Sequence, residues 1–437
     1  MFKEAKDIEK NENKFSQNDI KFFIGLFPPQ SVQNGTVHLI PSFGNIGLIE
    51  TDDGLVLFDV ALRQFAPRNF KAIRKISDKP VKYIIFSHGH FDHCFGFKPF
   101  IKEIKEKGWE MPEVIAHENV LKRFKKYQML DDYHRWLNAQ QFASVMGNQK
   151  DVVEPDEFLK PTRLLDGRDP YVFNFGGIEF EINHDIGETD DSSWLWVPQK
   201  ELICTGDLMI SSYPNVGNPY KVQRYPKGWA IAMENMMEKD AKYLIPGHGE
   251  MIEGKENIRE ILEITSEAMY FVHNEVVKRL NEGKWFEQIF HEMLEIYPEK
   301  FKNHDYLRPL YGSYRFAIHA VYRLYHGWYS TGNPTDLYPS KSSDIAQEFL
   351  KINKAERYFD HAKSLYEAKK YQLALHVLDV IIQGENFLNG FDITIALELK
   401  SKILRKKANT APSFIVRNIL NNGAKEIESR IESKKIK

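Results

Sequence analysis

In Val81-Lys82-Tyr83-Ile84-Ile85-Phe86-Ser87-His88-Gly89-His90-Phe91-Asp92-His93, a run that reads as a buried β-strand passes without a linker into three imidazoles and a carboxylate. A strand ending in a polar cluster presents it at the edge of its sheet, where α/β proteins place ligands. Neutral imidazole and carboxylate suit zinc and other first-row metals. Four such donors exceed what one open catalytic ion takes from a single loop, so the spacing predicts two adjacent ions that activate water for hydrolysis. A satisfied polar loop would account for one His-X-His, but not for His88, His90, Asp92 and His93 together.

Further donors recur after strands downstream. Gly187-Glu188-Thr189 follows a strand expected over residues 178–182 and is placed to add a carboxylate to the ion of His88 and His90. Asp207, in Thr205-Gly206-Asp207, is expected to end strand 202–204 and to bridge both ions. His248 is expected to end strand 243–245 and to complete the ion of Asp92 and His93. Each alone reads as a turn residue; their recurrence on one sheet edge is the signal. Asp92 and Asp207 are the expected catalytic carboxylates, the first orienting the attacking hydroxide and the second bridging.

The 437 residues suffice for two or three domains. An apolar share of 42% with a net charge of −2 describes an ordinary folded chain and argues against nucleic acid or an anionic membrane as partner. Cys94 and Cys204 are the two cysteines, which excludes a disulfide scaffold, leaves one bridge open, and reads best as reduced core thiols of a cytoplasmic protein. Met1 to Glu9 mixes charges without a basic-then-apolar order, and the apolar run 20–27 is too short to span a bilayer, so neither export nor insertion is expected.

Strands expected at 36–40, 46–50 and 55–59, with the turn Asp52-Asp53-Gly54, precede a basic helix over 67–75 and the strand leading to His88. Strand pairs follow at 171–173 with 178–182 and at 194–197 with 201–204, then a helix over 229–239. Beyond about residue 254 only helical periodicity remains, beginning with the stripe Ile258, Ile261, Leu262, Ala268, Met269, Val272, Val276 and Leu280. A boundary is therefore expected near 254, with an α/β domain over 1–254 and an all-α domain over 255–437.

The ordered set His-X-His-X-Asp-His, Gly-Glu-Thr, Gly-Asp and Gly-His resembles the metallo-β-lactamase superfamily, which implies an αββα sandwich with a dinuclear site at one edge. Glu188 in a slot that commonly holds His, the run Gly187-Glu188-Thr189-Asp190-Asp191 and the loop Tyr213-Pro214-Asn215 are similar to the alkyl-sulfatase branch. Tyr311-Gly312-Ser313, Gly327-Trp328-Tyr329 and Gly332-Asn333-Pro334 are similar to that branch's dimerisation domain. The resemblance spans about residues 35 to 430. It implies two divalent ions (zinc, with iron or manganese as alternatives), a homodimer through the helical half, whose stripe from Ile258 to Leu280 would supply buried surface, and a small-molecule ester as substrate.

Three departures qualify it. A His-Asn pair near the sulfate in some alkyl sulfatases is replaced by Phe316 and Ala317, and Asp207 stands where some have Glu. A terminal sterol-carrier-like module is also not expected in a chain of this length. Sulfate chemistry with a smaller or less apolar alcohol is the resulting expectation. Arg224 is the first candidate for the sulfate because its planar fork matches trigonal oxygens, with Asn215, Tyr311 and Arg315 as further substrate contacts. The same site fits a lactone, thioester or phosphoester, and a diiron redox protein or a non-enzymatic assembly module are further alternatives.

Overall fold

The computed structural model describes residues 21, 23–146 and 159–435; Met1 to Glu9 and Ile20 lie outside them. Two compact units emerge, one of residues up to 136 with 159–328, the other of 137–146 with 329–435.

In the first unit, β1 (Gln30–Val32), β2 (Val37–Ile40), β3 (Ile46–Glu50) and β4 (Leu55–Phe58) form an antiparallel meander. The expected Asp52-Asp53-Gly54 turn joins β3 to β4, with Thr51 N–H donating to the Gly54 carbonyl at 3.0 Å. Parallel strands extend the sheet: α1 (Ala66–Ile76) leads to β5 (Val81–Ile85), α2 (Phe91–Cys94) and α3 (Lys98–Lys107) to β6 (Glu113–His117). Then α4 (Asn119–Met129) and α5 (Asp131–Met146) precede β7 (Arg163–Leu165). A second sheet takes β8 (Tyr171–Phe175), β9 (Ile178–His184), β10 (Ser193–Val197) and β11 (Leu202–Ile210). After α6 (Pro226–Met237) it is closed by β12 (Tyr243–His248) and β13 (Ile252–Glu253), with β11 and β12 parallel.

The two sheets face each other through one core in which Leu39, Ile49, Phe58, Ile85 and Ile115 meet Phe180, Ile182, Leu195, Leu202 and Ile245. Helices cover the outer faces, so the architecture is the expected αββα sandwich. At about 25 cal/mol per Å² of apolar surface, this doubly covered interior is the main stabilising term of the unit.

Three further helices, α7 (Lys255–Asn281), α8 (Phe286–Ile296) and α9 (Tyr314–Tyr325), belong to this same unit. Ile258, Ile261, Leu262, Ala268, Met269, Val272 and Val276 of α7 are buried with Trp194 and Ile203 of the sheet and Trp229, Met233 and Met236 of α6. The stripe expected to supply a dimer interface is therefore consumed inside the chain, and that expectation is corrected. Strands end near residue 254 as expected, while the compact units divide between Trp328 and Tyr329 because α7 to α9 share a second core with α6 and with Trp194 and Ile203 of the sheet.

In the second unit, α10 (Ser342–Ile352), α11 (Ala355–Glu367), α12 (Tyr371–Gln383), α13 (Ile393–Thr410) and α14 (Phe414–Lys435) pack around Ala362, Ala374, Leu378, Ile381, Ala396 and Ile403. Among the described residues no helix is long and apolar enough to cross a membrane. Cys94 and Cys204 are both buried free thiols, which removes the bridge left open above.

Candidate metal centre

The ends of β5, β9 and β12 converge with β11 at one edge of the sandwich. The turn after β5 carries His88 and His90, α2 carries Asp92 and His93, the loop after β9 carries Glu188, and β12 ends on His248. Asp207 departs from expectation in one respect: it lies inside β11, which runs on to Ile210. The register to β12 shifts between Cys204 and Gly206 and again between Gly206 and Ile210, a bulge that turns Asp207 out of the pleat. Gly206 makes this possible. Its φ is +52°, and a Cβ there would lie 2.4 Å from the Ser87 Cβ. Gly247 is similarly constrained, since a Cβ would lie 2.2 Å from Asp207 Oδ1.

Two donor clusters result. His88, His90, Glu188 and Asp207 offer ligand atoms within 4.8 Å of one another, and so do Asp92, His93 and His248. Glu188 Oε2 is 3.2 Å from both His88 Nε2 and His90 Nδ1. Asp207 turns one oxygen to each cluster: Oδ2 is 4.0 Å from His88 Nε2, while Oδ1 is 3.2 Å from His93 Nε2 and 3.3 Å from His248 Nε2. Asp92 Oδ2 lies 3.6 Å from His248 Nε2 and 3.9 Å from His93 Nε2.

An outer set of contacts fixes which imidazole nitrogens face inward. Asp59, at the end of β4, accepts from Ser87 N–H at 2.7 Å, from Ser87 Oγ at 2.6 Å and from His93 Nδ1 at 2.7 Å. Ser87 Oγ in turn meets His88 Nδ1 at 2.9 Å. One buried carboxylate thereby fixes a proton on Nδ1 of His93 directly and of His88 through a hydroxyl, so that Nε2 is the nitrogen each turns to the cluster. His248 Nδ1 is 3.3 Å from the Phe23 carbonyl, and the Phe23 ring stacks on it at 4.6 Å. Arg123 Nε donates to Asp191 Oδ2 at 2.8 Å, and the same oxygen accepts from Gly89 N–H at 3.1 Å, which pins the turn between His88 and His90. The Asn45 amide donates to the carbonyls of Pro246 and Gly249 at 3.0 and 2.8 Å, holding the His248 turn.

The electrostatics distinguish the clusters. Burial drives His90 down to about 3, so it is neutral at physiological pH. Burial also opposes charge on His93 and His248, but Asp207 in both, with Asp59 and Asp92 at His93 and Asp92 at His248, outweighs it and raises both. Burial works against the carboxylates as well; Arg224 holds Glu188 well below the usual range, and His248 with His93 does the same for Asp207. His93 Nε2, Glu188 Oε2 and Asp207 Oδ1 are buried without a hydrogen-bond partner among the described residues. Buried polar atoms are rarely left so. Imidazole nitrogens and carboxylate oxygens facing one another are a donor set that divalent cations fit.

Of the expected substrate contacts, Arg224 is buried rather than a solvated loop residue. Its Nη1 donates to Glu188 Oε1 and, at 2.7 Å, to the Asn215 carbonyl, while Nε and Nη2 make no hydrogen bond to any described residue. Asn215 is fully buried, with both side-chain polar atoms unpartnered among the described residues. Tyr311 lies 5.4 Å from the Phe23 ring, close enough to feel the charges of Arg224, Glu188, Asp92 and Asp207, and burial holds its phenol well above the usual range. Arg315 lies in the first turn of α9, partly exposed. Phe316 and Ala317 sit in that helix too, with Ala317 in the core. Lys221 was not singled out in the sequence. It sits near Arg224, Asp92 and Glu188, and burial with the Arg224 charge lowers it to about 8.

Residues 39–248 match the family model of the metallo-beta-lactamase superfamily, and residues 286–430 match that of alkyl sulfatase dimerisation. Residues 39–248 form a domain of the metallo-β-lactamase superfamily. The chain is 23% identical over 403 residues to a linear primary-alkylsulfatase of Pseudomonas sp., covering 88% of this chain and 74% of that one. It is 24% identical over 325 residues to an (R)-specific secondary-alkylsulfatase of Pseudomonas sp., covering 70% and 49%. The solved stereoselective inverting sec-alkylsulfatase of Pseudomonas sp. shares the fold with a TM-score of 0.78 at 20% identity, over 92% of this chain and 65% of that one. The chain thus spans between half and three quarters of the length of these relatives.

Proposed function

We propose that the protein is a metal-dependent hydrolase that cleaves a sulfate ester with water, yielding an alcohol and hydrogen sulfate. The observation that carries this reading is the pair of donor clusters sharing Asp207, flanked by the cations Arg224 and Lys221. The alkylsulfatase names of the relatives support the same substrate class.

In this reading His88, His90 and Glu188 would hold one divalent ion and Asp92, His93 and His248 the second, with Asp207 turning one oxygen to each cluster. Zinc suits the mixed imidazole and carboxylate set, with iron and manganese as alternatives. Ions bound there would lower the pKa of a water so that a nucleophile exists at neutral pH. The chain's own residues do the rest. Arg224 uses Nη1 to fix Glu188 and keeps Nε and Nη2 for two sulfate oxygens, a planar match that a point charge lacks. Lys221 adds a second positive charge beside it, and the Asn215 amide offers buried donors with no competing partner among the described residues. Tyr311 stays protonated and is a donor to an ester oxygen. The partly exposed Asp92 carboxylate orients the attacking water.

The helical half, matched by the dimerisation model, is proposed to join two chains. Sulfate release measured by ion chromatography from short and long alkyl sulfates, alongside a phosphoester, a lactone and a thioester, tests the substrate class. Release from a short ester supports the reading. Turnover of another ester with no sulfate release from any would replace it.

A further inference from the structure

Beside Lys221 lies apolar surface that the described residues leave uncovered. Tyr133 and Trp136 of α5 are each 52% exposed, and Val222, one residue after Lys221, is 62% exposed. Side chains of this size left open next to one another mark a recognition surface more often than chance. Spaced three apart on a helix, Tyr133 and Trp136 share a face, and their rings lie 6.1 Å apart at an interplanar angle of 20°. Tyr220 meets Trp136 at 5.8 Å and 87°, so the rings form a right-angled corner. The loop that supplies Tyr220 is held in shape by its Asn218, whose carbonyl and side-chain oxygens accept from Lys221 N–H at 3.1 Å and Tyr220 N–H at 2.9 Å.

The corner is joined to the metal clusters on two sides. Along the loop, Tyr220 and Val222 flank Lys221, which feels the charges of Asp92 and Glu188. Through the helices, the Phe91 ring between His90 and Asp92 meets Tyr127 at 6.0 Å, Tyr127 meets His134 at 4.9 Å, and His134 adjoins Tyr133. His134, 9% exposed, underlies Tyr133, and among the described residues neither of its ring nitrogens has a hydrogen-bond partner.

We propose that this corner receives the alcohol portion of the substrate and favours a flat aromatic one, making aryl sulfates the preferred esters. The inference rests on the sulfate-ester reading: cations at Lys221 and Arg224 hold the anionic head, and the attached ring then lies along Trp136 and Tyr133 with its edge toward Tyr220. A linear alkyl chain gains area on such a surface, but it gains none of the ring–ring attraction that offset-stacked and edge-to-face aromatic pairs add.

The test uses the fully metallated protein with Trp136→Ala and Tyr133→Ala, both at exposed positions where loss of the side chain leaves the core intact. For 2-naphthyl sulfate, KM should rise about two- to tenfold more than for hexyl sulfate, with kcat changing less. Binding of naphthalene-2-sulfonate, which has no ester bond to cleave, is followed by its fluorescence and should weaken in parallel. If the sulfonate binds and weakens in the variants while wild type turns over no sulfate ester, the aromatic corner stands and the sulfatase reading falls. Unchanged sulfonate affinity in both variants, equal losses for naphthyl and hexyl esters, or a change of oligomeric state on removing Trp136 would each overturn the proposal.

Discussion

Asp59→Asn is the substitution that probes most sharply how the imidazoles are oriented. The amide keeps the volume of the carboxylate and can still accept from Ser87 N–H through its oxygen, now at 2.7 Å. Its NH₂, however, then faces Ser87 Oγ and His93 Nδ1, where Asp59 now accepts at 2.6 and 2.7 Å. Ser87 must turn its proton toward His88 Nδ1, 2.9 Å away. Both imidazoles are driven to carry hydrogen on Nε2, the atom each presents to Glu188 or Asp207. One residue in each cluster is thus set in the wrong tautomer. Loss of such outer contacts lowers metal affinity about 10- to 100-fold, equivalent to about 1.4–2.7 kcal/mol per ion. Competition with a fluorescent chelator gives both dissociation constants, and circular dichroism checks that the fold is retained. Two ions bound within about twofold of wild-type affinity would refute the idea that Asp59 sets these tautomers.

Other outcomes follow from the same geometry. Asp207→Ala should leave elemental analysis with one ion per chain or none, because the carboxylate that turns an oxygen to each cluster is gone. Arg224→Lys should lower kcat/KM about tenfold or more, from about 1.5–3 kcal/mol lost with a charged, forked contact. Metal binding should release protons, seen by calorimetry in buffers of different ionisation enthalpy, since His93 and His248 are raised when no ion is present whereas His90 is neutral. By the same sign, metal-free protein should lose thermal stability as pH rises above the ordinary imidazole range, about 6.5, and through the raised values of His93 and His248. Light scattering should give twice the 51.1 kDa chain mass at micromolar concentration, and a monomer would rule out the proposed dimer.

The clustered donors were legible because all but Asp207, which lies inside the bulged β11, end or follow a strand, and the sheets gather those ends at one edge. Their partners were not. Asp59 reads only as the last residue of an apolar strand, and its contact with His93 spans 34 positions that only the β4–β5 pairing closes. Arg224 was visible as a loop cation, but its grip on Glu188 depends on the return of the loop after β11. The α7 stripe announced one buried face without saying what would bury it, and the sandwich claimed it before any partner chain could. The segment holding α3, β6, α4 and α5 drew no reading, since its charged helices carry no ligand motif. It supplies Arg123, which braces the metal-binding turn, and the rings of Tyr133 and Trp136.

The most direct test of a two-ion sulfate esterase is a titration of metal-free protein with zinc while sulfate release from a short ester is recorded. Activity should be absent after chelation, rise with added zinc and reach its plateau at two ions per chain. Sulfate release that survives complete removal of metal, or a plateau at one ion per chain, would contradict the account.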